Sequence, residues 1–210
     1  MTIVCGLDEA GRGPLAGPII AAAVVFPSDF DFATRFPDIA FGDSKKLSAR
    51  QREAAYQLIT AHAIVCEVET IDVPDINSRD IGWANRTIFE RLITRVAAEQ
   101  YIVDGNLKLA IPLGKRFAVR SVVRADQTEP AVSAASIVAK VTRDQRMCAL
   151  HAECPEYAWD RNKGYYSPTH MAALQRHGQS RYHRAKFVET LFFHQSLPLF
   201  TALADAALSD

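Results

Sequence analysis

Apolar residues fall in two short unbroken runs near the start of the chain and in helical stripes further along. Residues 3–7 (Ile3-Val4-Cys5-Gly6-Leu7) and residues 18–26, rich in Ile, Val and Ala between two prolines, predict buried strands. Residues 27–43 carry Pro27, Asp29, Asp31, Pro37, Asp38 and Gly42 and predict a loop. Ser48 and Gln51 stand at capping-box spacing, where hydroxyl and amide side chains satisfy orphan N–H groups, so a helix is expected from there to about residue 61. Positions 63–70 alternate, with Ala63, Val65 and Glu67 on one side and Ile64, Cys66 and Val68 on the other. The three strands are expected to form an antiparallel meander.

The pattern then changes period. Apolar residues at 81, 84, 88, 89, 92, 93, 96 and 97 trace one face of a helix over 81–100. Short strands are expected at 101–104 and 117–123, and helices at 130–150, 168–177 and 184–194. Pro130 is tolerated in a first helical turn, and Ala131, Ala134, Ala135 and Ala139 allow close packing on a sheet. A meander followed by strand–helix alternation predicts an α/β domain with a mixed sheet.

Composition narrows the picture only slightly. A 210-residue chain, 49% apolar and 23% charged, fits one sizeable globular domain. Lys plus Arg equals Asp plus Glu at 24 each, so any surface for nucleic acid must be local. One local excess exists: Arg161, Lys163, Arg176, Arg181, Arg184 and Lys186 lie in a stretch without Asp or Glu. Cys5, Cys66, Cys148 and Cys154 show no metal-ligand spacing, which predicts reduced thiols. Neither a signal peptide nor a membrane-length apolar run is found, so a cytoplasmic protein without membrane contact is expected.

Candidate chemistry concentrates at strand ends. Asp8, Asp104 and Asp126 each close a predicted strand, where α/β sheets gather their ligands, and Glu9 follows Asp8. Successive strand residues face opposite ways, so Asp8 and Glu9 share a site only if the strand ends between them. Four clustered acids would repel unless neutralised by cations. Two divalent ions about 3.5–4 Å apart would resolve this and could clamp an in-line phosphoryl displacement, and hard oxygen donors favour Mg²⁺ or Mn²⁺. Directly behind the acids lies a turn of Gly11, Arg12, Gly13 and Gly17, with Pro14 and Pro18, whose backbone could approach a ligand closely. Ser133, Ser136 and Lys140 share a helical stripe that faces either the groove or the interior. Asp144 is expected to pair with Arg143 or Arg146, and His170, His177 and His183 to act as caps or phosphate contacts.

The stretch Asp8-Glu9-Ala10-Gly11-Arg12-Gly13-Pro14-Leu15-Ala16-Gly17-Pro18 resembles the signature of the type 2 ribonuclease H family. Further blocks follow in that family's order: Asp43-Ser44-Lys45-Lys46-Leu47-Ser48, Val103-Asp104-Gly105-Asn106, the segment 133–144, Asn162-Lys163-Gly164-Tyr165 and His183-Arg184. The resemblance implies a ribonuclease-H-like fold, a mixed central sheet flanked by helices with a helical C-terminal portion. It implies endonucleolytic cleavage of RNA in RNA–DNA hybrids and 5′ of ribonucleotides embedded in duplex DNA, leaving 3′-hydroxyl and 5′-phosphate ends. Metal-binding and catalytic acids fall on Asp8, Glu9, Asp104 and Asp126, and substrate contacts on Gly11, Arg12, Gly13, Lys45, Tyr165 and Arg184. Tyr165 would pack on the sugar beside the scissile phosphate, although Tyr166 and Ser167 depart from the residues usual after it. With Asp8 so early, no preceding DNA-binding domain of the related type 3 enzymes is expected. The expected layout is a catalytic domain over 1–190, with a basic substrate-binding segment at 161–190, and a tail over 191–210. Within that tail, Gln195, Leu197, Leu199 and Phe200 resemble a peptide that docks on a sliding clamp. A monomer is expected, and the alternative reading is a non-catalytic hybrid-binding, clamp-associated protein.

Overall fold

A computed structural model describes residues 2–27, 29–35, 47–115 and 118–195. Lys45, Lys46, Leu197, Leu199, Phe200 and the side chain of Gln195 lie outside what it describes. Strands β1 (Val4–Ala10) and β2 (Ile19–Val25) are followed by a single turn α1 (Phe32–Arg35) and helix α2 (Ala49–His62). The capping box forms as expected: Ser48 Oγ accepts from the Gln51 N–H and Gln51 Oε1 from the Ser48 N–H. Next come β3 (Val65–Ile71), α3 (Val73–Arg79), α4 (Ile81–Arg95), β4 (Gln100–Asp104) and β5 (Val119–Val122). Helices α5 (Ala125–Thr128), α6 (Pro130–Glu153), α7 (Trp159–Asn162), α8 (Pro168–His177) and α9 (Ala185–Gln195) follow within the described residues.

The sheet order is β3-β2-β1-β4-β5. β1, β2 and β3 form the antiparallel meander, while β4 and β5 join in parallel, which makes the sheet mixed. On one face α4 lays Ile88, Phe89, Leu92 and Ile93 against Cys5, Leu7, Ala21 and Ala23. On the other, α6 lays Ala134, Ala135, Val138 and Ala139 against Ala22 and Val24. Each fully buried large aliphatic contributes about 1.5–3 kcal/mol. The close approach of α6 requires Gly6, because a Cβ there would stand 2.2 Å from the Ala131 carbonyl carbon.

α6 runs on past the sheet into a third cluster, where Met147 and Leu150 meet Leu15, Trp159, Met171 and Leu174. This helical lobe carries a buried polar chain. Trp159 Nε1–H donates to His170 Nε2, which also lies 3.0 Å from His183 Nε2. The Ser180 N–H donates to His183 Nδ1, and His170 Nδ1 faces the Tyr165 carbonyl at 2.9 Å. Indole and amide only donate, so both imidazoles are neutral: His170 carries its proton on Nδ1 and His183 on Nε2. Burial pushes His170 down, and burial with His170 alongside pushes His183 down to about 4. These histidines are interior groups rather than phosphate contacts.

Two expectations are corrected. α4 ends at Arg95, not near 100, and a separate helix, α3, precedes it with Pro74 in its first turn. Asp126 lies on α5 instead of closing a strand, because β5 stops at Val122 and Arg124 turns the chain through a left-handed conformation (φ 60°). All four cysteines are free, as expected, and among the described residues no helix is long and apolar enough to cross a membrane.

Candidate active site

A cleft of about 620 Å³ opens at the carboxyl ends of β1 and β4. Asp8, Glu9 and Asp104 line it together with the turn Gly11-Arg12-Gly13, Arg52 of α2, Ser136 and Lys140 of α6, and Tyr165. The strand does not end between Asp8 and Glu9, contrary to the sequence expectation. β1 continues to Ala10, but its pairing with β4 stops at Leu7–Val103 while its pairing with β2 goes on to Ala10. Past Leu7 one flank of the strand is therefore open. Both acids reach the same cleft from opposite faces through that notch.

Asp8 is buried at 6% exposure and accepts from the Glu9 N–H at 2.8 Å. Burial, then Glu9, then Asp104 push its carboxyl up to about 8, against hydrogen bonds from Ser136 and the Glu9 amide. Burial and Asp104 likewise lift Glu9 to about 7, although Arg12 Nη1 stands 3.5 Å away. Asp104 is anchored by the Ala125 N–H at 2.8 Å. Asp126, next in sequence to the Ala125 whose N–H holds Asp104, is buried at 4%. Asp8, Glu9 and Asp104 line the cleft itself.

Among the described residues no three His, Cys, Asp or Glu side chains are gathered tightly enough to hold a cation as they stand. The donor set nevertheless fits a hard divalent ion. Two carboxylates raised by burial and mutual repulsion are the arrangement that a cation would return to the ionised state.

The other candidates divide. Gly11 takes φ 99°, and a Cβ there would stand 2.1 Å from Arg143 Nε, so the turn lies directly on that side chain. Tyr165 lines the cleft at 42% exposure, whereas Tyr166 is exposed outside it. The Tyr165 N–H donates to the Asn162 carbonyl, and the Arg143 guanidinium lies 5.6 Å from its ring. Arg184, expected at the substrate, is fully buried and gives its donors to carbonyls of the glycine turn. Burial, with Arg143 alongside, pushes it down to about 9.

Within the basic segment, Arg181 pairs with Glu153 at 2.7 Å, and Lys163 Nζ reaches the Asp160 carbonyl at 2.5 Å. Asp144 pairs with Lys140 at 2.6 Å, not with Arg143 or Arg146. Ser136 and Lys140 face the cleft, while Ser133 is buried. Sequence reasoning missed Arg52. It reaches the cleft only because α2 docks on α6, a contact with no local signature, and its Nη1 is braced on the Leu47 carbonyl. Asn77 was given no role either: its amide bonds the His183 carbonyl and the Ala185 N–H, a long-range contact that nothing local in the sequence marks.

Comparison with known proteins bears on this arrangement. The family described as Ribonuclease HII matches residues 5–193. A ribonuclease HII of Ralstonia nicotianae is 43% identical over 190 residues, spanning 88% of this chain and 76% of that protein. Among solved structures, a chain in the PCNA:RNase HII complex from Archaeoglobus fulgidus superposes with a TM-score of 0.73 at 26% identity, covering 87% of this chain and 93% of its own. The ribonuclease H2 of Pyrococcus horikoshii shares the fold, with a TM-score of 0.71 at 23% identity over 99% of this chain and 100% of its own.

Proposed function

Since the chain belongs to the ribonuclease HII family, and is thus an endonuclease of the ribonuclease H type, we propose that it cuts the RNA strand of RNA–DNA hybrids and cuts 5′ of ribonucleotides embedded in duplex DNA. The observation that carries this reading is one cleft lined at once by Asp8, Glu9 and Asp104, by the Gly11-Arg12-Gly13 turn and by Tyr165. Asp8, Glu9, Asp104 and Asp126 would hold two divalent ions, Mg²⁺ or Mn²⁺. When bound, these ions supply a nucleophilic water and neutralise charge on the departing 3′ oxygen.

The chain's own residues do the rest. Backbone N–H groups of the turn meet the ribose 2′-hydroxyl, the mark that separates RNA from DNA. The Tyr165 ring packs on the adjacent sugar. Arg12, Arg52 and Lys140 around the rim hold the flanking phosphates. We also propose a catalytic domain over 1–190 and a tail over 191–210 that tethers the enzyme to a sliding clamp through Gln195, Leu197, Leu199 and Phe200. The relative in complex with PCNA supports that last point.

The test is cleavage of a DNA duplex bearing one ribonucleotide, with Mg²⁺ or Mn²⁺, by the wild type and by Asp104→Asn. A cut on the 5′ side of the ribonucleotide, reduced at least about a hundredfold in the variant, is expected. Binding without cutting would favour a non-catalytic hybrid-binding role, and equal cutting of an all-DNA control would overturn the substrate assignment.

A further inference from the structure

Arg143 and Arg184 are both fully buried, and among the described residues neither has an ion-pair partner. Two like charges buried without a counter-ion are costly unless their donors are satisfied. Here the donors end on main-chain carbonyls. Arg184 holds Gly11 (2.6 Å), Arg12 (2.9 Å) and, from Nε and Nη2, Gly17 (3.0 and 2.8 Å). Arg143 holds Pro18 (3.0 Å), Ala16 (3.1 Å) and Lys163 (3.0 Å). The second arginine thereby ties the glycine turn to the segment that carries Tyr165.

The direction of these bonds has a geometric consequence. In a trans peptide the C=O of one residue and the N–H of the next point oppositely. Carbonyls of Gly11 and Arg12 drawn inward therefore turn the N–H groups of Arg12 and Gly13 outward, toward the cleft. Among the described residues neither of those amides donates to a protein acceptor. Asn77 fixes Arg184 from behind, because its amide bonds the backbone on both sides, at His183 and Ala185.

We propose that Arg143 and Arg184 are positioning residues for sugar selection: they aim the Arg12 and Gly13 amides at the ribose and hold Tyr165 at a fixed distance from them, without touching substrate. This rests on the function proposed above. A planar guanidinium can bridge several carbonyls in fixed directions, and a lysine ammonium cannot reproduce that fork.

The test is binding of metal-free wild type, Arg184→Lys and Asn77→Ala to two fluorescent duplexes of one sequence, one all-DNA and one with a single ribonucleotide. In Arg184→Lys the preference for the ribonucleotide duplex should fall about tenfold, the worth of one hydrogen bond, with all-DNA affinity kept within about twofold. Asn77→Ala should shift the preference in the same direction by less. A merely structural role would weaken both duplexes equally or neither, and either result overturns the proposal. If Arg184→Lys does not fold, Asn77→Ala and the wild type still decide. Arginine Nε–H resonances of ¹⁵N-labelled wild type should shift for Arg143 and Arg184 with the ribonucleotide duplex only, and an identical response to both duplexes overturns the positioning role. A wild type that neither prefers nor cuts the ribonucleotide duplex overturns the function itself. A wild type that does both, beside variants with unchanged preference, overturns the positioning role alone.

Discussion

Burial of Asp8 beside Glu9 and Asp104 sets its charge against the fold. Asp8→Asn removes that charge and keeps the shape, so the metal-free protein should become more stable by about 1–2 kcal/mol while cleavage is lost. Thermal melting in EDTA, paired with a cleavage assay, checks both parts. An unchanged or lower melting temperature would show that the site stores no electrostatic strain. Asp8, Glu9 and Asp104 were legible as candidates from their places at strand ends, which surface acids and helix caps share equally, and the ordered blocks of the ribonuclease H resemblance singled them out. Arg184 was legible as a residue but not as a role. A basic side chain next to a basic stretch looks like a phosphate contact, and only the fold shows that it is sealed beneath the turn with its donors on Gly11, Arg12 and Gly17.

Elements were read well where one pattern sufficed. The all-apolar β2, the capping box that starts α2 and the striped face of α4 each carry their own signal, and each is found within a few residues of its expected place. Boundaries failed where tertiary packing takes over. Apolar residues at 96 and 97 continue the α4 stripe, yet the helix stops at Arg95 so that Val96 can cap the core beside β4. The contact between β1 and α6 is another such case, visible in sequence only as a glycine inside a strand. Gly6→Ala should push α6 off the sheet and cost at least about 2 kcal/mol, read as a lower denaturant midpoint in urea. A cost below 0.5 kcal/mol would mean that the helix can retreat freely, an outcome at odds with ordinary core packing.

At the scale of the molecule, the neutral histidine pair links global stability to pH. Both imidazoles have folded-state pKa values below the ordinary 6.5, His183 at about 4, so the unfolded chain binds more protons between those limits. Their contribution is complete above pH 6.5 and is lost as pH falls toward 4. Urea unfolding at pH 7.5, 6 and 5 should show this decline, and a His170→Gln/His183→Asn double variant should show a flatter one. Equal slopes would place the acid sensitivity elsewhere. The same pair braces the Tyr165 carbonyl, so mild acid should loosen the helical lobe before the sheet.

α6 crosses all of these regions. It bears Ser136 and Lys140 in the cleft, Arg143 under the turn and Met147 and Leu150 in the lobe, along 24 residues with a span of about 36 Å. Because one continuous helix carries residues of both the cleft and the lobe, the cleft is expected to act as a fixed caliper rather than a closing jaw. On the function proposed above, the distance from the carboxylates to the Tyr165 ring would be set before any nucleic acid arrives. Any bending that seats a cut site would then come from the duplex, and easily deformed sequence steps should be processed faster than stiff ones.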